Sequence, residues 1–184
     1  MPNWAWGTFR VKGKKEAMLA FSRHLIMEDA PRTIEGVRYF ARTFTGDTRR
    51  SIEGQIRDMF AGKGPQAEMT CEILADFAWS AYSCVVDGYP QDNPERCITL
   101  ADACREDGVD VRITTKEPGI YFEEQITCDR RGNLVNVCQD LIPMRCRRCG
   151  NVEGRASFED PDDLCCSECG ESDFAPAEEE DEWH

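Results

Sequence analysis

The sequence lacks the features that mark membrane and secreted proteins. It contains no run of eighteen apolar residues, and residues 1–15 carry no apolar signal-peptide segment. We therefore expect a cytoplasmic protein that does not enter a membrane. Thiols stay reduced in that compartment, so the eleven cysteines favour metal binding and buried thiols over a disulfide framework.

Recognisable catalytic motifs are also lacking. The sequence has no glycine-rich phosphate loop, no HExxH or GxSxG motif and no spaced pair of carboxylates. His24 lies on or beside a predicted helix and His184 is the last residue, so neither is favoured as a general base. Cys84 could be a nucleophile, but no partner base accompanies it, and a buried structural thiol is the favoured interpretation. The same interpretation applies to Cys71, Cys97, Cys104, Cys128 and Cys138. We expect a protein that is not an enzyme.

Charge is distributed unevenly along the chain, whose net charge is −13. Residues 1–65 carry 12 Lys and Arg against 7 Asp and Glu, whereas residues 66–184 carry 10 against 28. The acidic excess is densest after residue 150 and ends in an acidic tail, residues 176–184. This split predicts an interaction surface, charge complementarity within the chain, or an acidic end that serves solubility.

Two CxxCG segments predict a zinc ribbon over residues 143–175. They begin at Cys146 and Cys166, and sixteen residues separate their cysteine pairs. Two intervening residues let one tight turn point both sulfurs at one ion, and the following glycine can adopt the positive φ with which the turn ends. Four thiolates leave no open coordination position, so we predict one structural Zn²⁺. Its ligands would be Cys146, Cys149, Cys166 and Cys169.

Two features of this segment leave alternatives open. Cys165 could replace Cys166 as a ligand, although only Cys166 repeats the spacing of the first segment. Arginines flank the first cysteine pair and could contact phosphate, but the following loop is strongly acidic. The ribbon is therefore expected to contact protein or to serve as a structural cap rather than to read nucleic acid.

Hydrophobic periodicity predicts an α+β fold, with one antiparallel sheet and helices on one face. Strands are predicted over residues 3–11, 69–74, 78–86, 109–114, 120–128 and 134–141. Helices are predicted over residues 14–28, 34–44, 47–60 and 93–107. Asp47 is the expected N-cap of the third helix, Gly108 ends the fourth, and residues 129–133 form a hairpin loop. The β-α-β-β-α-β core is the ferredoxin-like arrangement.

Three short motifs are spread over residues 1–142. They are Met1–Trp4 with the strand end Val11–Gly13, the segment Ala78–Cys84, and Glu117–Gly119 followed by two aromatic residues. In this order and spacing they resemble the YubB-like ferredoxin-fold family of plasmids, phages and integrated mobile elements. The resemblance implies a ferredoxin-like domain over residues 1–142 and the setting of a mobile element, whose accessory proteins often counter host defences. It implies no activity. A basic helical insertion, residues 31–65, and the ribbon depart from the family pattern.

Two groups of residues are candidate partner surfaces. Trp79 and Tyr82 would lie on opposite faces of a predicted strand, so one of them could be exposed beside Glu117 and Gly119, with core packing as the alternative role. In the insertion, the pair Arg49-Arg50 and its neighbouring cations favour an anionic partner or form a solvated helical surface.

Three functions follow from these observations. The leading hypothesis is a non-enzymatic accessory protein of a mobile element that binds a protein partner, such as a host-defence component, through the ferredoxin-like domain and the ribbon. The alternative is a nucleic-acid-binding protein that uses the basic insertion and the arginines of the first CxxCG segment. The third is an enzyme with an unrecognised thiol or carboxylate centre.

Overall fold

Strand β1 (Trp4–Gly13) lies at the centre of a seven-stranded sheet, and its side chains largely alternate between buried and exposed positions. The computed structural model of the chain describes residues 3–27, 36–87, 95–119, 121–160 and 165–177. Strand β1 pairs antiparallel with β4 (Met69–Ala78) on one side and with β5 (Asp110–Glu117) on the other. The coarse prediction of an α+β fold with antiparallel pairing is confirmed.

The remaining strands extend the sheet in both directions. The short strands β2 (Ile26–Met27) and β3 (Thr43–Thr45) lie beyond β4. The hairpin of β6 (Phe122–Cys128) and β7 (Leu134–Asp140) lies beyond β5. The order across the sheet is β2-β3-β4-β1-β5-β6-β7, in which β2 and β3 alone are parallel to each other.

Helices α1 (Lys15–Ser22), α2 (Arg49–Met59) and α3 (Leu100–Asp107) supply the other half of the core. The inward side chains of β1, β4 and β5 are buried with residues of all three helices in one hydrophobic cluster. Its centre is aromatic, with Phe9 5.5 Å from Phe77 and 5.8 Å from Phe40 between ring centroids. Burying such side chains contributes about 1.5–3 kcal/mol each. The opposite side of the sheet, which we call the open sheet face, carries no helix in the described part of the chain.

A second, three-stranded sheet follows β7. It consists of β8 (Ile142–Cys146), β9 (Val152–Arg155) and β10 (Phe174–Pro176), in the order β10-β8-β9. We call the described residues 142–160 and 165–177 the ribbon. No helix in the described ranges is long and apolar enough to cross a membrane.

One predicted helix is too long, and two other predicted elements are wrong. The helix over residues 14–28 ends at Ser22, and Ile26 already belongs to β2. The described part of the helix over 34–44 is not helical: Tyr39 forms a bridge with Cys97, residues 41 and 42 form a turn, and Thr43 begins β3. The strand over 78–86 does not exist: β4 runs on to Ala78, and Tyr82–Val86 is a π-helical turn.

Of the two helix ends predicted from the sequence, one is wrong and one is confirmed. The N-cap of α2 is Thr48 rather than Asp47, and its hydroxyl accepts the Ser51 N–H at 3.2 Å. Gly108 ends α3 in the left-handed conformation, as predicted. The predicted start of α3 at Asn93 lies outside the described residues, but residues 95–99, which were also predicted to be helical, are not: the helix begins at Leu100, after the cap Thr99.

Candidate metal centre and open sheet face

The two CxxCG segments fold into matching turns. The Gly150 N–H donates to the Cys146 carbonyl at 2.9 Å, and the Gly170 N–H donates to the Cys166 carbonyl at 2.8 Å. Both glycines have positive φ, +81° and +71°, a conformation that a side chain disfavours. The repeated pattern points two sulfurs from each turn toward the same point.

The four thiols meet at that point. Their sulfurs all lie within 4.8 Å of one another, with 3.7 Å between Cys146 and Cys169 and 3.5 Å between Cys149 and Cys166. This group could hold a metal ion. Cys165 is exposed and is not part of the group, whereas Cys166 is buried.

Backbone N–H groups stabilise the thiolate form of Cys146. The N–H groups of Cys149 and Arg148 point at the Cys146 sulfur and lower the pKa of its thiol to about 7, against an opposing desolvation. A thiolate is the form that binds metal. The turn therefore supplies hydrogen-bond donors that a charged sulfur needs.

The arginines of the first segment all have partners. Arg148 is paired with Glu171 at 2.7 Å and Arg147 with Asp173 at 3.6 Å. Arg145 donates to the Gly150 carbonyl at 3.1 Å. Because Glu171 and Asp173, which follow the second segment, pair with Arg148 and Arg147, the ribbon presents no free basic cluster among the residues that the structure describes.

The ribbon is anchored to the sheet through the residues that follow β9. The backbone N–H and the hydroxyl of Ser157 both donate to the carboxylate of Glu123, a β6 residue that is only 1% exposed. Lys116 of β5 forms an ion pair with Glu159. The segment 156–160 therefore lies against the open sheet face at β5 and β6.

The open sheet face is rich in exposed apolar side chains. Leu74 is 69% exposed, Trp6 46% and Trp4 41%. The edge strand β7 presents Val135 and Val137 on the same side of the sheet, where polar residues of β5 and β6 separate them from Leu74. The ring of Trp4 packs edge-on against Phe44 with centroids 5.7 Å apart. Aromatic rings thus line the side of the face formed by β1 and β3.

Two hollows flank this surface. The first, of about 350 Å³, lies between the sheet and the ribbon. Its lining includes Trp6, Leu74, Asp76, Lys116, Phe158 and Glu159. The second, of about 580 Å³, lies at the opposite ends of β1 and β5 and includes Arg10, Lys12 and Arg112.

The structure separates the residues that were predicted to form one partner surface. Trp79 is exposed, but it follows β4 with a φ of +79°, and its N–H donates to the Asn3 carbonyl at 2.8 Å. Tyr82 begins the π-helical turn, so the expectation of opposite strand faces does not apply. Glu117 is 2% exposed and offers no surface of its own. A Cβ on Gly119 would lie 2.8 Å from the Glu117 carboxylate, so this glycine allows the loop to cover it.

The insertion residues Arg49 and Arg50 lie in the first turn of α2, where Arg50 is exposed and Arg49 is half-buried.

His24 has a hydrogen-bond partner at each ring nitrogen. Its Nδ1 lies 2.7 Å from the Arg38 carbonyl and its Nε2 lies 3.0 Å from the Asp107 carboxylate. With both nitrogens engaged in tertiary bonds, His24 links α1 to α3 rather than facing a cleft.

Sequence reasoning missed three positions that organise this region. Glu123 and Glu124 are adjacent acids that are both buried, and Asp76 lies directly across the β1–β4 pair from Trp6. Two adjacent acids within an apolar strand pattern could have indicated that Glu123 and Glu124 are unusual. The Asp76–Trp6 pairing depends on the register of β1 and β4, which no local pattern supplies.

The chain was compared with protein-family models, with curated proteins and with solved structures, and none of them matches it. The resemblance to the YubB-like family therefore stays a prediction.

Proposed function

We propose that this chain is a cytoplasmic, non-enzymatic accessory protein of a mobile genetic element, and that it binds a protein partner, such as a host-defence component, through the open sheet face and the ribbon. The observation that carries the proposal is the group of exposed apolar residues Trp4, Trp6 and Leu74 on β1 and β4, with Val135 and Val137 exposed on the same side of β7. Large exposed apolar patches are uncommon on soluble monomers and mark interaction sites.

The chemistry of these side chains favours protein over nucleic acid. Trp is enriched at the centres of protein interfaces because it buries a large area with few rotatable bonds. Two cations of the face are paired with acids of the chain, Lys116 with Glu159 and Arg10 with Glu72. A phosphate backbone would have to displace these acids.

We also propose that residues 1–142 form a ferredoxin-like domain. The order β3-β4-β1-β5, with antiparallel neighbours throughout, supports this assignment. Helices α1 and α3 occur in the two connections that are helical in that arrangement. Helix α2 then lies in the connection from β3 to β4, as an addition to the core.

Zinc is the ion that we propose for the four-cysteine group. Zn–S bonds of about 2.3 Å place the four sulfurs of a tetrahedral site about 3.8 Å apart. The sulfur–sulfur distances of 3.5 and 3.7 Å in the structure support that geometry. Four thiolates would close the coordination shell, so the ion would stabilise the ribbon and take no part in catalysis.

The proposal is tested by affinity purification from cells of the source organism followed by mass spectrometry, with and without nuclease. The double variant Leu74→Thr/Val137→Thr removes apolar area from the open sheet face. The double variant Arg49→Glu/Arg50→Glu removes the basic surface of α2 instead. We expect a nuclease-resistant partner that the first variant loses and the second retains.

The opposite pattern would replace the proposal with the nucleic-acid alternative. Its signs are a partner that disappears with nuclease, or nucleic-acid binding that weakens steeply with salt and is lost in the Arg49→Glu/Arg50→Glu protein. Capture of a partner that is unchanged by the open-face substitutions would also overturn the assignment of the surface.

A further inference from the structure

Asp76 is an unpaired carboxylate flanked by aromatic residues. In the register of the sheet it lies directly between Phe44 of β3 and Trp6 of β1, and all three belong to the open sheet face. Side chains directly opposite each other in an antiparallel pair have Cβ atoms about 4.5–5.5 Å apart. The Asp76 carboxylate forms no hydrogen bond or ion pair with any described residue.

The other charges of the neighbouring cleft are already neutralised. Lys116 is paired with Glu159, and the second carboxylate oxygen of Glu159 accepts the Ala156 N–H at 2.7 Å. The described lining of this hollow contains no arginine, and its one lysine is Lys116. Asp76 is therefore the available charge in the cleft, and it is negative.

The apolar lining suits the stem and the head of a long cation. The lining of this cleft includes Leu74, Thr8, Trp6 and Phe158. Arginine and lysine bury their methylene stems on apolar surface while the charged end finds a carboxylate or an aromatic ring. Cations bind the faces of Trp and Phe rings because the ring quadrupole is negative there.

The net charge of the chain also favours a positively charged partner. The protein carries a net charge of −13, which attracts basic surfaces and repels acidic ones. The cleft also opens onto the exposed apolar residues Leu74 and Trp6, which a free amine would leave uncovered. A peptide chain that carries the cation would cover them.

We propose that this cleft binds an arginine or lysine side chain from a basic segment of the protein partner, with Asp76 as the anionic contact and Trp6 as the aromatic contact. The inference rests on the proposed function, because it states the chemistry of the partner that the open sheet face would bind.

The test uses the full-length protein and two synthetic peptides. One is an eleven-residue peptide of glycine and serine with three arginines, and in the other citrulline replaces each arginine. Citrulline keeps the shape of the side chain and removes its charge. Binding is followed by NMR through the indole N–H resonances of the tryptophans, with Trp6→Phe used to assign Trp6.

We expect the arginine peptide to shift the Trp6 indole resonance to saturation and the citrulline peptide to bind at least about tenfold more weakly, the size of one charged hydrogen bond. Asp76→Asn should weaken arginine-peptide binding by about tenfold. The matched control is Glu72→Gln, which removes a carboxylate from the same face of β4, and it should change binding by less than about twofold, as an exposed ion pair contributes little.

Equal losses in the Asp76→Asn and Glu72→Gln proteins would overturn the inference, because the attraction would then be a general effect of net charge. Equal binding of the two peptides, or no shift of the Trp6 resonance, would overturn it as well. The proposed function is judged separately by partner capture. If the Asp76→Asn protein still captures the partner, this inference is wrong and the proposed function stands. If the cleft binds the arginine peptide but the protein captures no partner, the proposed function is wrong and this inference stands.

Discussion

The carboxylate of Glu124 accepts the backbone N–H of Ala81 at 2.7 Å, across 43 positions of sequence. The same oxygen accepts the Tyr82 N–H at 3.4 Å. Strand β6 thereby holds the start of the π-helical turn Tyr82–Val86, whose first N–H groups need acceptors outside the turn. Burial raises the pKa of the Glu124 carboxyl above its usual 4.5, and the two backbone N–H groups oppose that rise only in part.

Glu124 should make stability depend on pH. Because its folded pKa is raised, the folded protein keeps this proton at pH values where the unfolded chain has lost it. The contribution of Glu124 to the free energy of unfolding therefore falls as the pH rises from about 4.5 through the raised pKa. Glu124→Gln removes the titration and keeps an oxygen acceptor. Urea unfolding between about pH 4 and pH 7 should show the wild-type protein losing stability relative to this variant.

Glu124→Ala is the companion variant. It leaves the N–H groups of Ala81 and Tyr82 without their acceptor and should cost about 1–3 kcal/mol. If the alanine variant unfolds at the wild-type urea concentration, the carboxylate does not hold the turn.

The four-cysteine group predicts one zinc ion per chain in the purified protein. Cys146→Ser should abolish stoichiometric zinc, because it removes a ligand of a site in which metal binding supplies about 10 kcal/mol or more of folding free energy. Cys165→Ser is the matched control and should retain zinc, since Cys165 lies outside the group. Metal analysis by mass spectrometry distinguishes the two. Full zinc in the Cys146→Ser protein, or its loss in the Cys165→Ser protein, would contradict the assignment of ligands.

Glu123 should decide whether the ribbon stays attached to the sheet. Glu123→Ala removes the acceptor of both Ser157 donors, at a cost of about 1–3 kcal/mol. Hydrogen exchange of the amides around Ser157 should become faster, while zinc content stays at one per chain. Gln139→Ala is the control, because Gln139 donates to the same carboxylate from β7 and makes no contact with Ser157 that the structure records. Unchanged exchange in the Glu123→Ala protein would show that other contacts hold the ribbon.

Two glycines should respond to alanine in opposite directions. Gly108 ends α3 with a φ of +71°, where alanine costs about 1–2 kcal/mol although its Cβ would meet no atom within 4 Å. Gly54 lies inside α2, also with free space for a Cβ, and alanine there should stabilise the protein by about 0.5–1 kcal/mol. Denaturant unfolding measures both changes. Two changes of the same sign would contradict the backbone conformation of one of these positions.

Short sequence patterns predicted the elements whose conformation is determined by neighbouring residues in the chain. The alternation of β1, the glycine that ends α3 and the spacing of the four cysteines are all legible in short windows. The segment after Ala78 was mispredicted as a strand because its aromatic and β-branched residues suit one. Its conformation is set instead by distant groups, since the Asn3 carbonyl holds Trp79 and the Glu124 carboxylate holds Ala81.

The predicted helix over residues 34–44 failed for a related reason. Its apolar residues recur at helical spacing, but the Tyr39 N–H donates to the Arg96 carbonyl and the Phe40 N–H donates to the His24 carbonyl. These bonds to two separate parts of the chain replace the bonds of a helix, and Phe40 is still buried. The pairing of Asp76 with Trp6 was out of reach in the same way, because strand register is a tertiary property.

The cleft beside Asp76 has one wall on the sheet, at Trp6, and the other on the ribbon, at Phe158. We expect the ribbon wall to change shape when the four-cysteine group is disassembled, because β8 and β9 connect Cys146 to Phe158. An ion in that group and a ligand in the cleft would then be thermodynamically linked, and the linkage would be reciprocal: the factor by which the ion tightens ligand binding would equal the factor by which the ligand tightens ion binding. A chelator would then act as a competitor of the ligand from a distance, and a saturating ligand would protect the ion from the chelator.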